Sequence, residues 1–134
     1  MTATAGVATL SIRAPLQLRY LIAEACAQTE ISRAEYVASA AVAFAKGIAG
    51  GKAPAPIPEW FDVDERDRRM MTITLYPEDL ELTKEIALKR LMIPHTRFVL
   101  WAVTLMALND LGKTKSKRIM REASAELEEL EAVG

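Results

Sequence analysis

Ala8-Thr9-Leu10-Ser11-Ile12-Arg13-Ala14-Pro15 alternates apolar and polar residues with period two. Ala8, Leu10, Ile12 and Ala14 fall on one face, and Thr9, Ser11 and Arg13 on the other. The pattern predicts one half-buried β-strand, because successive strand side chains point to opposite faces. It returns at an offset of 61 residues in Met70-Met71-Thr72-Ile73-Thr74-Leu75. There Met71, Ile73 and Leu75 point inward, and Met70, Thr72 and Thr74 outward. A single short strand cannot stand alone, since its backbone donors and acceptors need a partner. Each copy offers one strand, and pairing the two is the least costly solution.

Working outward, each strand leads into helix, break and helix. Met1 to Val7 reads as a loose arm. Pro15 suits the first turn of a helix, where its missing N–H costs nothing. Leu18, Leu21, Ile22, Ala25 and Cys26 recur at helical spacing. Gln28-Thr29-Glu30 breaks the pattern. Ser32-Arg33-Ala34-Glu35 reads as a capping box, with Ile31 as its hydrophobic staple. Tyr36, Val37, Ala40, Ala41 and Phe44 form the next apolar face, and Gly47 ends it. In the second copy Pro77, Glu78 and Asp79 open a helix with acids where its dipole favours them. Ile93-Pro94-His95-Thr96 is the break. The helix from Phe98 toward Gly112 is apolar almost all round, so it is expected to be buried on more than one side. The second helices match at an offset of 62, so the second copy carries one added residue between strand and second helix.

These features divide the chain into residues 1–46, a first copy; 47–69, a linker; 70–112, a second copy; and 113–134, a charged amphipathic helix. Gly50-Gly51 and the spaced Pro54, Pro56 and Pro58 deny the linker regular structure. Trp60 and Phe61 either pin it to the domain or bind a ligand. In the last element Ile119, Met120, Ala123, Leu127 and Leu130 make a helical stripe. It is expected to cover Trp101 and Leu105, or to join a second chain.

The bulk properties narrow the function classes. The net charge is −1 and apolar residues make up 51% of 134, as for one globular domain. Residues 66–121 carry twelve Lys or Arg against six acids, between an acidic linker and an acidic tail. Such asymmetry points to an anionic partner. One cysteine, Cys26, excludes an internal disulfide and a cysteine-based zinc site. No secretory signal is visible, and the longest apolar run falls short of the ~20 residues of a membrane span. A cytoplasmic protein without membrane contact is expected. There is no Gly-rich phosphate loop, no Cys/His cluster and one His, so neither an enzyme nor a metal site is expected.

The repeated unit resembles the ribbon-helix-helix family of DNA-binding proteins. The likeness rests on Thr9-Leu10-Ser11-Ile12-Arg13-Ala14-Pro15 with Ile31-Ser32-Arg33-Ala34-Glu35, and on Met71-Thr72-Ile73-Thr74-Leu75 with Ile93-Pro94-His95-Thr96-Arg97. It implies a mostly α fold with a two-stranded antiparallel β-ribbon. Both protomers of the family's dimer would lie in one chain as a tandem pseudo-dimer, followed by the C-terminal helix. Whether the ribbon forms within one chain or between two stays open at this point. The resemblance implies duplex DNA as partner and no cofactor. Its base readers would be Thr9, Ser11, Arg13, Met70, Thr72 and Thr74. Its phosphate grips would be Ser32, Arg33, His95 and Thr96, with Arg69 beside them. Pro94 departs from the family by standing where a capping residue is expected. Lys113, Lys115, Lys117 and Arg118 are a second candidate phosphate surface, since cations at a helix start oppose its dipole. The expected role is a transcriptional repressor of a bacterial, phage or mobile element. A conjugation accessory DNA-binding protein and an antitoxin-type module with a protein partner are the alternatives. The C-terminal helix is the candidate for self-association.

Overall fold

The computed structural model describes residues 7–133, so most of the N-terminal arm lies outside the described residues. β1 (Ala8–Ala14) leads into α1 (Leu16–Thr29) and α2 (Arg33–Ala49). After the linker come β2 (Arg69–Leu75), α3 (Pro77–Glu85), α4 (His95–Leu111) and α5 (Lys113–Val133). The fold is thus mostly helical around one two-stranded sheet.

β1 and β2 pair antiparallel within the chain, from Ala8 opposite Leu75 to Ala14 opposite Arg69. The register is centred on Ser11 and Thr72, whose hydroxyl oxygens lie 3.5 Å apart. Positions 61 apart in sequence therefore occupy reciprocal places in the ribbon. Ile12, Ala14, Ile73 and Leu75 are buried beneath it, while Leu10 and Met71 are partly buried. The period-two alternation decides this, because a slip of one residue would turn the whole apolar set to solvent.

The helices form the floor. α2 and α4 pack on each other, α2 against β2 and α4 against β1. Each second helix thus supports the strand of the other copy, and neither copy owns a complete core. Leu21, Ile22, Val37, Val99 and Val103 fill the shared interior. Phe98 fills a second cluster with Ala45, Ile48, Ile86 and Ala87. Tyr36, almost fully buried, donates its hydroxyl to Asp110 Oδ2 at 2.5 Å, tying α2 to the end of α4. Burial and that carboxylate raise its pKa well above the ordinary tyrosine range. Of the expected capping box, the Ser32 half forms: its Oγ accepts the Glu35 N–H at 3.2 Å, while the Glu35 side chain is exposed.

The added residue of the second copy is absorbed inside a helix. α3 continues into a π turn over Ile86–Arg90, where Leu91 N–H donates to Ile86 O at 3.0 Å. A π turn holds one more residue than an α turn. Glu30 and Met92, matched at the offset of 62, both take left-handed backbone, with φ of 59° and 56°. The insertion therefore precedes Met92, and the breaks before α2 and α4 are built alike.

Two expectations about the outer elements resolve differently. Phe61 is buried in the main core and Trp60 packs against it, so both pin the linker. The linker also satisfies Trp101, whose Nε1–H donates to Ala55 O at 2.9 Å. α5 does not cover Trp101 and Leu105. Gly112, at φ 83°, turns the chain back and α5 lies mainly along α1. Ala123 and Leu127 meet Leu16 and Tyr20, and Ile119 and Met120 enter the main core. Most of the apolar stripe is consumed inside the chain. Leu130, 52% exposed, is the stripe residue left outside. No single helix among the described residues is long and apolar enough to cross a membrane.

Candidate nucleic-acid interface

The outward face of the ribbon presents Thr9 opposite Thr74, Ser11 opposite Thr72 and Arg13 opposite Met70. All six are exposed. Met70, 66% exposed, is the one large apolar side chain among them. The face offers four hydroxyls, one guanidinium fork and one flexible thioether above a buried floor. The pairing brings all six sequence-predicted readers onto one surface.

The start of α2 adds charge. Ser32 and Arg33 are exposed there, although the Ser32 hydroxyl oxygen is engaged by Glu35 N–H. Arg33 borders a depression of about 240 Å³ with Arg19, Arg69, Met70 and Met71. Arg19 came from no motif. It donates to Asp67 O at 2.6 Å and to Asp67 Oδ2 at 2.9 Å, fixing the turn that launches β2. Asp67 takes left-handed backbone, φ 54°, which Asp tolerates better than most residues. The Arg19 hydrogen bond, and then nearby Arg69, hold its carboxyl below the ordinary range. Arg69 Nε lies 3.5 Å from Asp67 Oδ1 but is largely exposed. No sequence signal joins residues 48 apart in this way.

The start of α4 is different. Pro94 caps it without a side-chain bond. Thr96 is exposed, while the His95 ring is half-buried and one of its nitrogens already has a partner. Its Nε2 lies 2.7 Å from Thr83 Oγ1, and Thr83 is fully buried. Thr83 Oγ1 also lies 3.1 Å from Leu80 O. With the Nε2–H tautomer the ring donates to Thr83; with the Nδ1–H tautomer Thr83 donates to the ring instead. Burial first, and the Lys84 charge second, push the imidazole pKa down. The unfolded chain takes up a proton at His95 near pH ~6.5, and the folded chain only at lower pH. The stability is full above that pH and is lost as pH falls through the folded value. Urea midpoints are expected to drop between pH 7 and pH 5 in the wild type, and to drop less in His95→Gln. Equal drops in both chains would remove His95 as the source.

The basic start of α5 is not brought to the ribbon. Lys115 pairs with Glu24 at 3.3 Å and bonds Gln28 Oε1 at 3.3 Å. Both partners lie toward the end of α1, roughly 12–18 Å along its axis from the ribbon end at ~1.5 Å per residue. Lys117 sits 5.4 Å over the Trp60 ring, and Arg118 lies 3.9 Å from Glu122. Lys113 is exposed. The opposite end of α5 approaches the start of β2, where Glu131 pairs with Arg66. Stripe and charge were legible in α5, but the direction in which it folds back was not.

Among the described residues no His/Cys/Asp/Glu group is placed to hold a metal. Cys26 is buried, which raises its thiol pKa. No family model, curated protein or solved structure matches the chain.

Proposed function

We propose that this chain is a sequence-specific duplex DNA-binding protein, a tandem ribbon-helix-helix pseudo-dimer that inserts its β-ribbon into the major groove as a transcriptional repressor of a bacterial, phage or mobile element. The observation that carries this is the outward ribbon face: six exposed side chains rich in hydrogen-bonding groups, in one fixed register over a buried floor. The major groove is ~12 Å wide and admits a two-stranded ribbon. Each base pair shows a distinct donor and acceptor pattern there.

On this reading Arg13 forks onto guanine O6 and N7. Thr9, Ser11, Thr72 and Thr74 donate or accept at base edges, and Met70 meets a thymine methyl. Arg33 and Arg69 hold phosphate beside the ribbon, and Thr96 with the free N–H groups of α4 offers a second grip. The chain binds and does not catalyse. The acidic end of α5 serves an antitoxin reading poorly, because the helix is packed on α1 rather than free for a partner.

Arg13→Ala should cost ~1–3 kcal/mol of specific binding and relax preference at one base position. Selection from a random duplex pool at two salt concentrations, followed by anisotropy titration, measures both. An enriched motif that Arg13→Ala reads equally well would remove Arg13 as a reader. No enrichment at either salt would overturn the proposal.

A further inference from the structure

The two halves of the ribbon face are not equal in charge. Arg13, Arg19, Arg33 and Arg69 belong to one side of the molecule. The last three border one depression, and Arg13 stands opposite Met70, which lines it too. The reciprocal places, at offsets of 61 along strands and first helices and 62 along second helices, hold Thr74, Leu80, His95 and Ala8. None of these four arginines is answered by a Lys or Arg, and burial, then Lys84, pushes the His95 pKa down. Glu78 and Asp79 sharpen the contrast, standing where the first copy has Gln17 and Leu18. Asp67 offsets one charge of the arginine cluster, leaving it net positive. The start of α4 has cations of its own: exposed Arg97, where the first copy has Glu35, lines a groove with Pro94, Thr96 and Arg68, and Lys84 lies near His95.

We infer that the chain sits on duplex DNA in one fixed direction. The half of the site under Arg13, Arg33 and Arg69 supplies the guanine contact and most of the phosphate grip. The half under Thr9, Thr74 and the start of α4 is read by hydroxyls on the ribbon, with Arg97 and Lys84 as the cations near α4 and no guanidinium on the strand face. The recognised site for one chain is accordingly directional and not a palindrome. This rests on the DNA reading above and adds its polarity.

The physical basis is counterion release. Each phosphate neutralised by Lys or Arg adds about 1 to the slope of log K against log salt. Arg33→Ala and Arg69→Ala should each lower that slope by about 1, and His95→Gln should leave it unchanged. Orientation is read separately. Glu78→Cys places an exposed thiol near the end opposite Arg13, and the native Cys26 is buried. An iron chelate attached there cleaves nearby DNA. On a duplex just long enough for one chain and carrying the selected motif, cleavage is expected on one flank, distal to the guanine that Arg13 reads.

Equal cleavage on both flanks, or a palindromic motif for one chain, overturns the polarity while leaving DNA binding in place. Equal slope losses in the arginine variants and His95→Gln do the same. Absence of selective binding by the wild-type chain removes the underlying reading instead. The two failures are therefore told apart before any variant is compared.

Discussion

Truncating Phe98 to alanine lowers the free energy of unfolding by about 3–5 kcal/mol. Phe98 is fully buried, and its ring stacks on Phe44 with centroids 5.2 Å apart. Such a pair adds ~0.5–1.5 kcal/mol beyond the area it buries. The cavity would open among Ala45, Ile48, Ile86 and Ala87, two of which are already too small to collapse into it. Ile86 begins the π turn, so the loss also reaches the segment that sets the angle into α4. Domains of this size are stable by ~5–15 kcal/mol, which makes the effect a large share of the whole. Urea denaturation should show a lower midpoint with little change in slope. Leu130→Ala, at the exposed end of the α5 stripe, is the control and should stay within ~0.5 kcal/mol. A Phe98→Ala chain as stable as the control would mean that the second cluster is not a packed core.

Ser11→Asp should abolish specific DNA binding while leaving the fold in place. Ser11 lies at the centre of the register and points to solvent, so a carboxylate there costs no burial. In the proposed complex the same carboxylate enters a groove walled by phosphates and rich in acceptors. A like charge at such a position costs several kcal/mol, or a loss of about a hundredfold or more at ~1.4 kcal/mol per decade. Thermal melting followed by circular dichroism should be nearly unchanged. Wild-type affinity in Ser11→Asp would show that the ribbon face does not meet DNA.

The central architecture was legible because strand alternation and helical periodicity each specify which side is buried. Residues 8–14 and 69–75 form the strands, and every expected reader lies on the exposed face. The added residue in the second copy was also visible as a change of offset. Its location was not, since the count of residues is the same whether it enters a turn or a helix. The partner of His95 was hidden for a related reason. A residue beside Pro94 at a helix start reads as exposed, and only the packing of α3 against α4 places Thr83 within reach of its ring. Arg19 and Asp67 meet through tertiary structure alone. For α5, the stripe predicted a buried face but could not choose between Trp101 and the outer side of α1. The indole N–H helps decide that: the linker backbone satisfies it, whereas an apolar stripe offers no acceptor.

β1 and β2 are unlike sequences held in register by a single polypeptide. In an assembly of two identical chains, every codon change at the ribbon would be expressed twice, once at each end. Here a change at Arg13 leaves its reciprocal position, Thr74, untouched. The two edges of the face can therefore drift separately under selection. In the proposed complex, one edge could be reworked toward a new base sequence while the other keeps its contacts.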